Sequence, residues 1–513
     1  MNAAALNPIQ SSTLPRSSNR AHFFFALGTP LLWWLAGLSW GGFALGWIAF
    51  APLFFALSTL PARARWKLGY FIGWLGFALV NWWIVPTIAR GGPVLGMPVF
   101  LGALLGIVAV ALIALIHGFG IAIIALLWDA NHPLARRFSW LLPIMAALLW
   151  ACFDALRGLT PLAHMWGAPA YTQWRDTAFL QSAAVIGQHG LSALCVWFSA
   201  SFALWAASKD GAAQPILWRA PVLVFAALHV VGAWRLSQNP APSRSLKVLL
   251  VGTAIPALRK NQGLGETPLQ QSLRLTREYF AEQEYSRTKQ YSGAPIDLIV
   301  WPESTLEFRR FRPERAPSGL DWREIAALSR ELKTPILFGG LSRSVGENGE
   351  ELFNEATLVS PDGKSSASAK NRLVPFGERA VGGEIWPFLK SLAPDPPLAR
   401  APGIRALSLE SGGKKLTLGS VICFESCFPW PATQLRKEGA QAIFVLTNDS
   451  WFDGTEAPWQ HAAMGAVRAV ENGVPVAQAA NGGYVVAIDA QGRFTAVGDY
   501  NRPQAVPVTL ELE

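Results

Sequence analysis

The sequence predicts a multi-domain chain, a polytopic α-helical membrane domain of about seven spans followed by an α/β domain, and three observations predict it. The 513 residues are 51% hydrophobic and only 15% charged, too apolar for an ordinary soluble protein. The apolar residues gather into long runs in the first half. Around residues 237–245 the composition changes through a Pro- and Ser-containing linker, beyond which short apolar strands alternate with helical patterns.

The apolar runs cover residues 21–40, 42–60, 68–89, 94–128, 140–156, 178–207 and 216–234. Most are near the roughly 20 residues that a spanning helix needs, and the fourth and sixth are long enough to tilt. Trp33, Trp34, Trp40, Trp47, Trp82 and Trp83 fall near run ends, where interfacial aromatic anchors are expected. Alternate connections carry Arg16, Arg20, Arg63, Arg65, Lys67, Arg136, Arg137, Lys209 and Arg219, against Arg90, Arg157, Arg175 and Arg235 on the other side. The positive-inside rule then puts the N-terminus in the cytoplasm and everything after Trp234 on the outer side. The first run follows a polar tail and has no small-residue cleavage site after it, so it reads as an anchor. The expected domains are an N-terminal tail at 1–20, a transmembrane domain at 21–236, a linker at 237–245 and an α/β domain at 246–513.

Strands are expected at 246–251, 296–301, 335–339, 416–423 and 442–447, with helices at 269–290, 322–332 and 459–472. In such alternations ligands gather at strand ends. Three chemically useful side chains stand there: Glu303 in Ile-Val-Trp-Pro-Glu-Ser, Lys370 opening Lys-Asn-Arg-Leu-Val-Pro-Phe-Gly-Glu-Arg, and Cys423 ending Leu-Gly-Ser-Val-Ile-Cys. A carboxylate can take a thiol proton, and an ammonium can lower the thiol pKa and stabilise a tetrahedral oxyanion.

Other readings are weaker. The net charge of +9 is scattered through short loops and not interleaved with exposed aromatics, so nucleic acid is not expected. Cys152 and Cys195 lie in apolar runs and read as small core residues. Cys423 and Cys427 lack a second ligand pair and His461 is isolated, so neither a metal nor a cofactor is expected. A Cys423–Cys427 disulfide would consume the nucleophile.

Taken in order, Trp-Pro-Glu, Lys-x-x-Leu-Val-Pro-Phe-Gly-Glu and Cys-Phe-Glu resemble the three signature segments of the nitrilase superfamily, as found in the apolipoprotein N-acyltransferase family. The resemblance covers nearly the whole chain. Upstream it includes Asp154, Arg157, Gly158, Trp166, Gly167, Gln181 and Gly187. Downstream it includes the segment 447–452, Gln460, His461, Arg468, Glu471 and the Asn481-Gly-Gly run. Soluble nitrilases lack the membrane half, which selects the subfamily.

The resemblance implies an αββα sandwich for 246–513 on the periplasmic side of a bacterial inner membrane. It implies Cys423 as nucleophile, Glu303 as general base and Lys370 as oxyanion stabiliser with the Phe424 N–H. Glu378, Glu425 and Trp451 are implied as supporting or substrate-binding residues. The implied reaction passes an acyl group from a phosphatidylethanolamine-like phospholipid through a Cys423 thioester to the amine of a diacylglyceryl apolipoprotein, the last step of lipoprotein maturation. A membrane-tethered amidase or esterase that uses water as acceptor remains open, and the intact Glu303, Lys370 and Cys423 argue against a silent scaffold. Asn81, His117 and Asp154 are costly in a bilayer and read either as lining for a lipid passage or as helix packing. Three departures stand out. Segment 507–513 is too short and polar for the further span that family members usually carry, Gly252-Thr-Ala-Ile-Pro-Ala replaces a Gln-Gly-Asn-Ile-Pro-Gln-like stretch, and Phe424 stands where Tyr is common.

Overall fold

The computed structural model describes residues 16–160, 162–208, 215–238, 243–257, 265–288, 295–306, 320–346, 349–393, 397–411 and 413–512. The first half is helical: α1 Arg16–Ala26, α2 Gly28–Ala36, α3 Ala51–Leu57, α4 Ala62–Val80, α5 Ile84–Gly91, α6 Val99–Leu127, α7 Pro133–Arg137, α8 Leu141–Arg157, α9 Thr177–Leu180, α10 Ala183–Ala207 and α11 Ile216–Ser237. Among the described residues α6, α10 and α11 are each long and apolar enough to cross a membrane. The pair α4 and α5, bent by 53° at a short break, makes a fourth if counted as one span.

The expectation of seven spans is therefore not met by seven spanning helices. Breakers within the runs and one short helix account for the difference. The first run divides into α1 and α2 at Gly28, with Pro30 in the first turn of α2, and the second becomes a 3₁₀ turn, Gly42–Trp47, and the seven-residue α3 with Pro52 in its first turn. The fifth forms α8, 17 residues long. The tryptophans also divide. Trp40 and Trp82 are exposed as anchors would be, whereas Trp33, Trp47 and Trp83 are buried. Trp33 packs edge-on to Phe77 and Trp150 and donates its indole N–H to the Gly167 carbonyl at 2.9 Å, so these rings build the bundle interior.

The second half carries two six-stranded mixed sheets. The strands are β1 Arg244–Gly252, β2 Leu298–Val300, β3 Ile336–Gly346, β4 Gly349–Val359, β5 Ser365–Ala369, β6 Leu407–Ser411, β7 Lys414–Ile422, β8 Ala442–Asn448, β9 Val476–Asn481, β10 Val486–Ile488, β11 Phe494–Val497 and β12 Gln504–Leu512. The first sheet runs β12-β1-β2-β3-β4-β5 and the second β11-β10-β9-β8-β7-β6. β1–β2–β3 and β7–β8–β9 are parallel, and the other pairings are antiparallel.

Side-chain alternation along β1 sets the layering. Val248 and Leu250 join Leu418 and Val421 of the second sheet in one core, while Leu249 and Val251 join Leu273 of α12 (Pro268–Thr288) and Ile325 of α13 (Leu320–Leu332) in another. Helices α14 (Pro429–Lys437) and α15 (Ala457–Asn472) supply Leu435 and Ala466 to the core of the second sheet. All five expected strands form. The helix expected at 269–290 corresponds to α12, its last two residues lying outside the described ones. The terminal segment forms the antiparallel edge strand β12, with Val508 opposite Val248.

Candidate active site

The three expected residues stand just past strand ends, Glu303 and Cys423 after the parallel strands β2 and β7 and Lys370 after the antiparallel β5. Glu303 follows β2 by three residues, Cys423 follows β7 directly and Lys370 follows β5 directly. All three are buried. Lys370 Nζ lies 2.8 Å from Glu378 Oε1 and 3.6 Å from Glu303 Oε1. Asn354 on β4 ties the carboxylates together, its amide donating to Glu303 Oε1 at 2.7 Å and to Glu378 Oε1 at 3.2 Å. The remaining oxygens accept backbone N–H groups, Glu303 Oε2 from Asn448 at 2.9 Å and Glu378 Oε2 from Val374 at 2.7 Å. Each carboxylate is thus fixed at both oxygens. Gly339 allows this placement, because a Cβ there would come 2.5 Å from Glu303 Cα.

Cys423 opens a 3₁₀ turn, Cys423–Cys427, with φ of 50°, a left-handed conformation rare outside glycine. Such strain persists only where the surroundings over-determine it, and they do here. The Cys423 carbonyl accepts from Ser426 Oγ and from His461 Nε2, both at 3.0 Å, and His461 Nδ1 lies 2.9 Å from Asp449 Oδ1. Glu425 fixes the other flank: Oε2 accepts from the Ile422 N–H at 3.0 Å, and Oε1 accepts from the Asn371 and Arg372 N–H groups at 2.7 and 2.9 Å. A buried carboxylate thereby clamps the Lys370 segment to the Cys423 turn.

Burial and the Glu303 carboxylate push the Cys423 thiol well above its ordinary value, and Lys370 and the Thr447 hydroxyl offset this only in part. The lowered thiol expected from the ammonium alone is overridden. Cys423 is thus a buried thiol with a carboxylate neighbour. Burial opposes the charge on Lys370, but Glu378 and Glu303 override it and hold the ammonium above its usual range. Burial raises the Glu425 carboxyl despite its three N–H donors.

The membrane half reaches the site through several contacts. The His164 ring stacks on Phe424 at 6.3 Å, the Trp166 ring lies 5.8 Å from His461, and Arg90 of α5 donates to the Trp451 carbonyl at 3.0 Å. Trp451 itself is half-buried, in the 3₁₀ turn Asp449–Phe452, and Phe452 packs edge-on to Trp83 at 4.9 Å. The polar residues of the bundle are buried and paired, which favours packing over a passage. Arg157 bonds Asp154 at 2.8 Å and the carbonyls of His164, Met165 and Trp166, while His164 Nε2 lies 2.6 Å from Asn81 Oδ1. These bonds shape the loop that carries His164 and Trp166.

The two halves are also bonded to each other. Gly187, with φ of 63°, interrupts α10 and lets the Gln188 N–H reach Glu471 Oε1 at 2.6 Å. Gln188 Oε1 accepts from Arg468 at 2.7 Å and from the Tyr171 hydroxyl, which also lies against the Cys427 carbonyl. Gln460 bridges Trp166 and Gly37 at 2.6 and 3.0 Å, and Gln181 reaches the Gln491 carbonyl at 2.8 Å. Asn354 and the positioning roles of Asp449 and His461 were not read from the sequence. Asn354 lies in an unremarkable strand, and the use of the other two depends on contacts distant along the chain.

A thiol beside a fixed carboxylate and ammonium at the strand ends of a two-sheet sandwich, bonded to apolar spanning helices, defines a membrane-integral protein of the carbon–nitrogen hydrolase class. The carbon-nitrogen hydrolase family matches residues 266–510, and the apolipoprotein N-acyltransferase N-terminal domain matches residues 29–201. The apolipoprotein N-acyltransferase of Geobacter metallireducens is 30% identical over 461 residues, covering 88% of this chain and 82% of its own. That of Agrobacterium fabrum is 31% identical over 464 residues, covering 86% and 78%. The chain belongs to the apolipoprotein N-acyltransferase family. Among solved structures, Nit3 of Saccharomyces cerevisiae, a member of branch 10 of the nitrilase superfamily, aligns with 53% of this chain and 92% of its own at a TM-score of 0.36 and 17% identity, too distant to add to that assignment.

Proposed function

We propose that the chain N-acylates the N-terminal diacylglyceryl-cysteine of apolipoproteins, taking the acyl group from a phospholipid through a thioester on Cys423. Family membership supports the acceptor. The observation that carries the mechanism is the joint burial of Cys423, Glu303 and Lys370 beside a loop of the membrane half, where two lipid substrates meet without leaving the bilayer.

In the first half-reaction Glu303 takes the thiol proton as sulfur attacks the ester carbonyl. Lys370 and the Phe424 N–H hold the oxyanion, and collapse to the thioester expels the lysophospholipid alkoxide, which recovers the proton from Glu303. In the second the lipoprotein amine attacks the thioester, gives a proton to Glu303 and leaves as the amide, and Cys423 is released and reprotonated. The kinetics are ping-pong. Glu378 and Glu425 position Lys370 and the Cys423 turn, and Trp451 borders the acyl chain.

The proposed domains are a cytoplasmic tail at 1–20, a membrane domain at 21–236 with all seven apolar runs immersed, short and bent helices included, a linker at 237–245, and a periplasmic catalytic domain at 246–513. The membrane is the bacterial inner membrane. The test incubates a synthetic diacylglyceryl-cysteine peptide with purified protein and phospholipid of defined chain length, beside Cys423→Ala, and reads masses. Gain of one acyl group on the peptide amine only with intact Cys423 supports the proposal. Loss of acyl chains to water with the peptide unchanged would replace it with hydrolysis.

A further inference from the structure

Two arginines flank Lys370 and take no part in the acyl-transfer steps. Arg372 follows Lys370 by two residues, at most about 7 Å of chain. Arg400 precedes Ala401, whose N–H donates to the Lys370 carbonyl at 3.1 Å, and two residues earlier the Leu398 N–H donates to the Glu378 carbonyl at 2.9 Å. The Arg400 segment therefore runs beside Lys370 and Glu378. Arg400 Nε and Nη2 both donate to Asn371 Oδ1, at 3.3 and 3.1 Å. Asn371, between Lys370 and Arg372 in the chain, thereby ties the Arg400 side chain to the Lys370 segment.

The positive charge of this pair is not balanced. Lys370 is offset by Glu378 and Glu303, but neither Arg372 nor Arg400 forms an ion pair with a carboxylate among the described residues. Glu425 attracts Arg372, yet its two oxygens are taken by the N–H groups of Ile422, Asn371 and Arg372. Burial, then the Arg400 charge, lowers the Arg372 guanidinium from its ordinary value, and Glu425 offsets this only in part. Two like charges are thus close enough to oppose each other, and a bound anion would relieve both.

The membrane half fixes where that anion would lie. Arg372 Nη2 donates at 3.1 Å to the carbonyl of Gly158, the residue that closes α8, and the guanidinium lies over Phe428 at 5.2 Å and Trp430 at 5.6 Å. These contacts hold its plane, while Nε and Nη1 make no hydrogen bond among the described residues. Gly158 ends the apolar run that α8 forms, so Arg372 stands at head-group level, where lipid phosphates lie. A phospholipid carries its ester carbonyls and its phosphodiester a few bonds apart on one glycerol. An ester seated at Cys423 and Lys370 therefore brings its phosphate to the neighbouring arginines, and a guanidinium meets phosphate oxygens with paired N–H donors.

We propose that Arg372 and Arg400 bind the phosphodiester of the phospholipid donor while its ester lies at Cys423. This rests on the phospholipid-donor reading above and deepens it. The two arginines select a lipid with an anionic phosphate on its glycerol over a neutral glycerolipid that offers the same ester. Arg372 is anchored by the membrane half through Gly158, and the exposed Arg400 by Asn371.

The test measures binding without turnover. The full chain in detergent is offered a dialkyl ether phosphatidylethanolamine and the matching dialkyl glycerol, which lacks the phosphate, and native mass spectrometry reads the lipid retained. The wild type is expected to prefer the phospholipid. Arg372→Gln and Arg400→Gln are each expected to lower phospholipid retention by about tenfold or more, the loss of a charged hydrogen bond, with retention of the dialkyl glycerol unchanged. Equal retention of the two lipids by the wild type, or an unchanged preference in the variants, would overturn the proposal. So would loss of the preference in millimolar inorganic phosphate, which would mean that the arginines hold a free anion. If Arg372→Gln loses both lipids because the Gly158 contact matters to assembly, Arg400→Gln at the exposed position decides. The donor reading fails separately: if an ester phospholipid leaves no acyl group on Cys423, the thioester is lost, while the ether pair still reports whether the arginines hold a lipid phosphate.

Discussion

Replacing Glu303 with glutamine separates the two roles proposed for its carboxylate toward Cys423, because it should move acyl transfer and thiol reactivity in opposite directions. As a general base, Glu303 is expected to contribute about 10²–10⁴-fold to acyl-enzyme formation. As a neighbouring negative charge it helps, after burial, to hold the Cys423 thiol above its ordinary value. Removing that charge leaves Lys370 as the opposing influence, so the thiol value falls and the thiolate fraction near neutral pH rises. The geometry also gives a structural cost. Glu303 accepts from Asn354 Nδ2 on one oxygen and from the Asn448 N–H on the other. A glutamine has a single acceptor oxygen, so one buried donor loses its partner at about 1–3 kcal/mol. The assay is paired: burst-phase release of lysophospholipid, and iodoacetamide alkylation of Cys423 followed across pH. Glu303→Gln is expected to lower the burst rate by at least about 100-fold and to shift the alkylation profile to lower pH. A burst within fivefold of wild type, or alkylation that moves to higher pH, would refute the assignment of Glu303 as the base beside this thiol.

Two further outcomes follow from contacts around the site. Arg90→Ala removes the bond to the Trp451 carbonyl, a charged hydrogen bond of about 1.5–3 kcal/mol. It is expected to raise KM for the phospholipid by about tenfold or more, with kcat at saturation little changed; a loss confined to kcat would mean that the turn does not border the donor. Burial opposes the charge on His461, but Asp449 overrides it and the imidazole is held above its ordinary value. A raised histidine contributes stability in full below the unfolded value of about 6.5 and loses it as pH rises through the folded value. Thermal midpoints in detergent are therefore expected to fall as pH rises above about 6.5, and Asp449→Asn is expected to flatten that slope. Parallel wild-type and variant curves would count against the pair.

Much of the catalytic half was legible because its signals are local. Strands buried on both faces read as short apolar runs, as Leu298–Val300 and Ala442–Asn448 do, and site side chains such as Glu303 follow within a few residues of a strand end. The membrane half was less legible for a physical reason. Hydropathy reports which residues avoid water and not whether the backbone stays helical, so Gly28, Pro30 and Pro52 broke runs that composition read as continuous. Trp33 and Trp47, expected at the interface, are core residues because the bundle folds back on itself.

By itself the sequence determined the division into an apolar helical half and an α/β half, the order of Glu303, Lys370 and Cys423, and the family resemblance that implies roles for them. Tertiary structure alone decided that Asn354 joins two carboxylates from different segments, that His461 and Asp449 brace a strained Cys423 turn, and that Gln188, Arg468 and Glu471 bond the halves together. The reason is range. A strand end or an apolar run is set by residues a few positions apart, whereas these contacts join groups tens to hundreds of residues apart, and only the packed chain brings them within bonding distance.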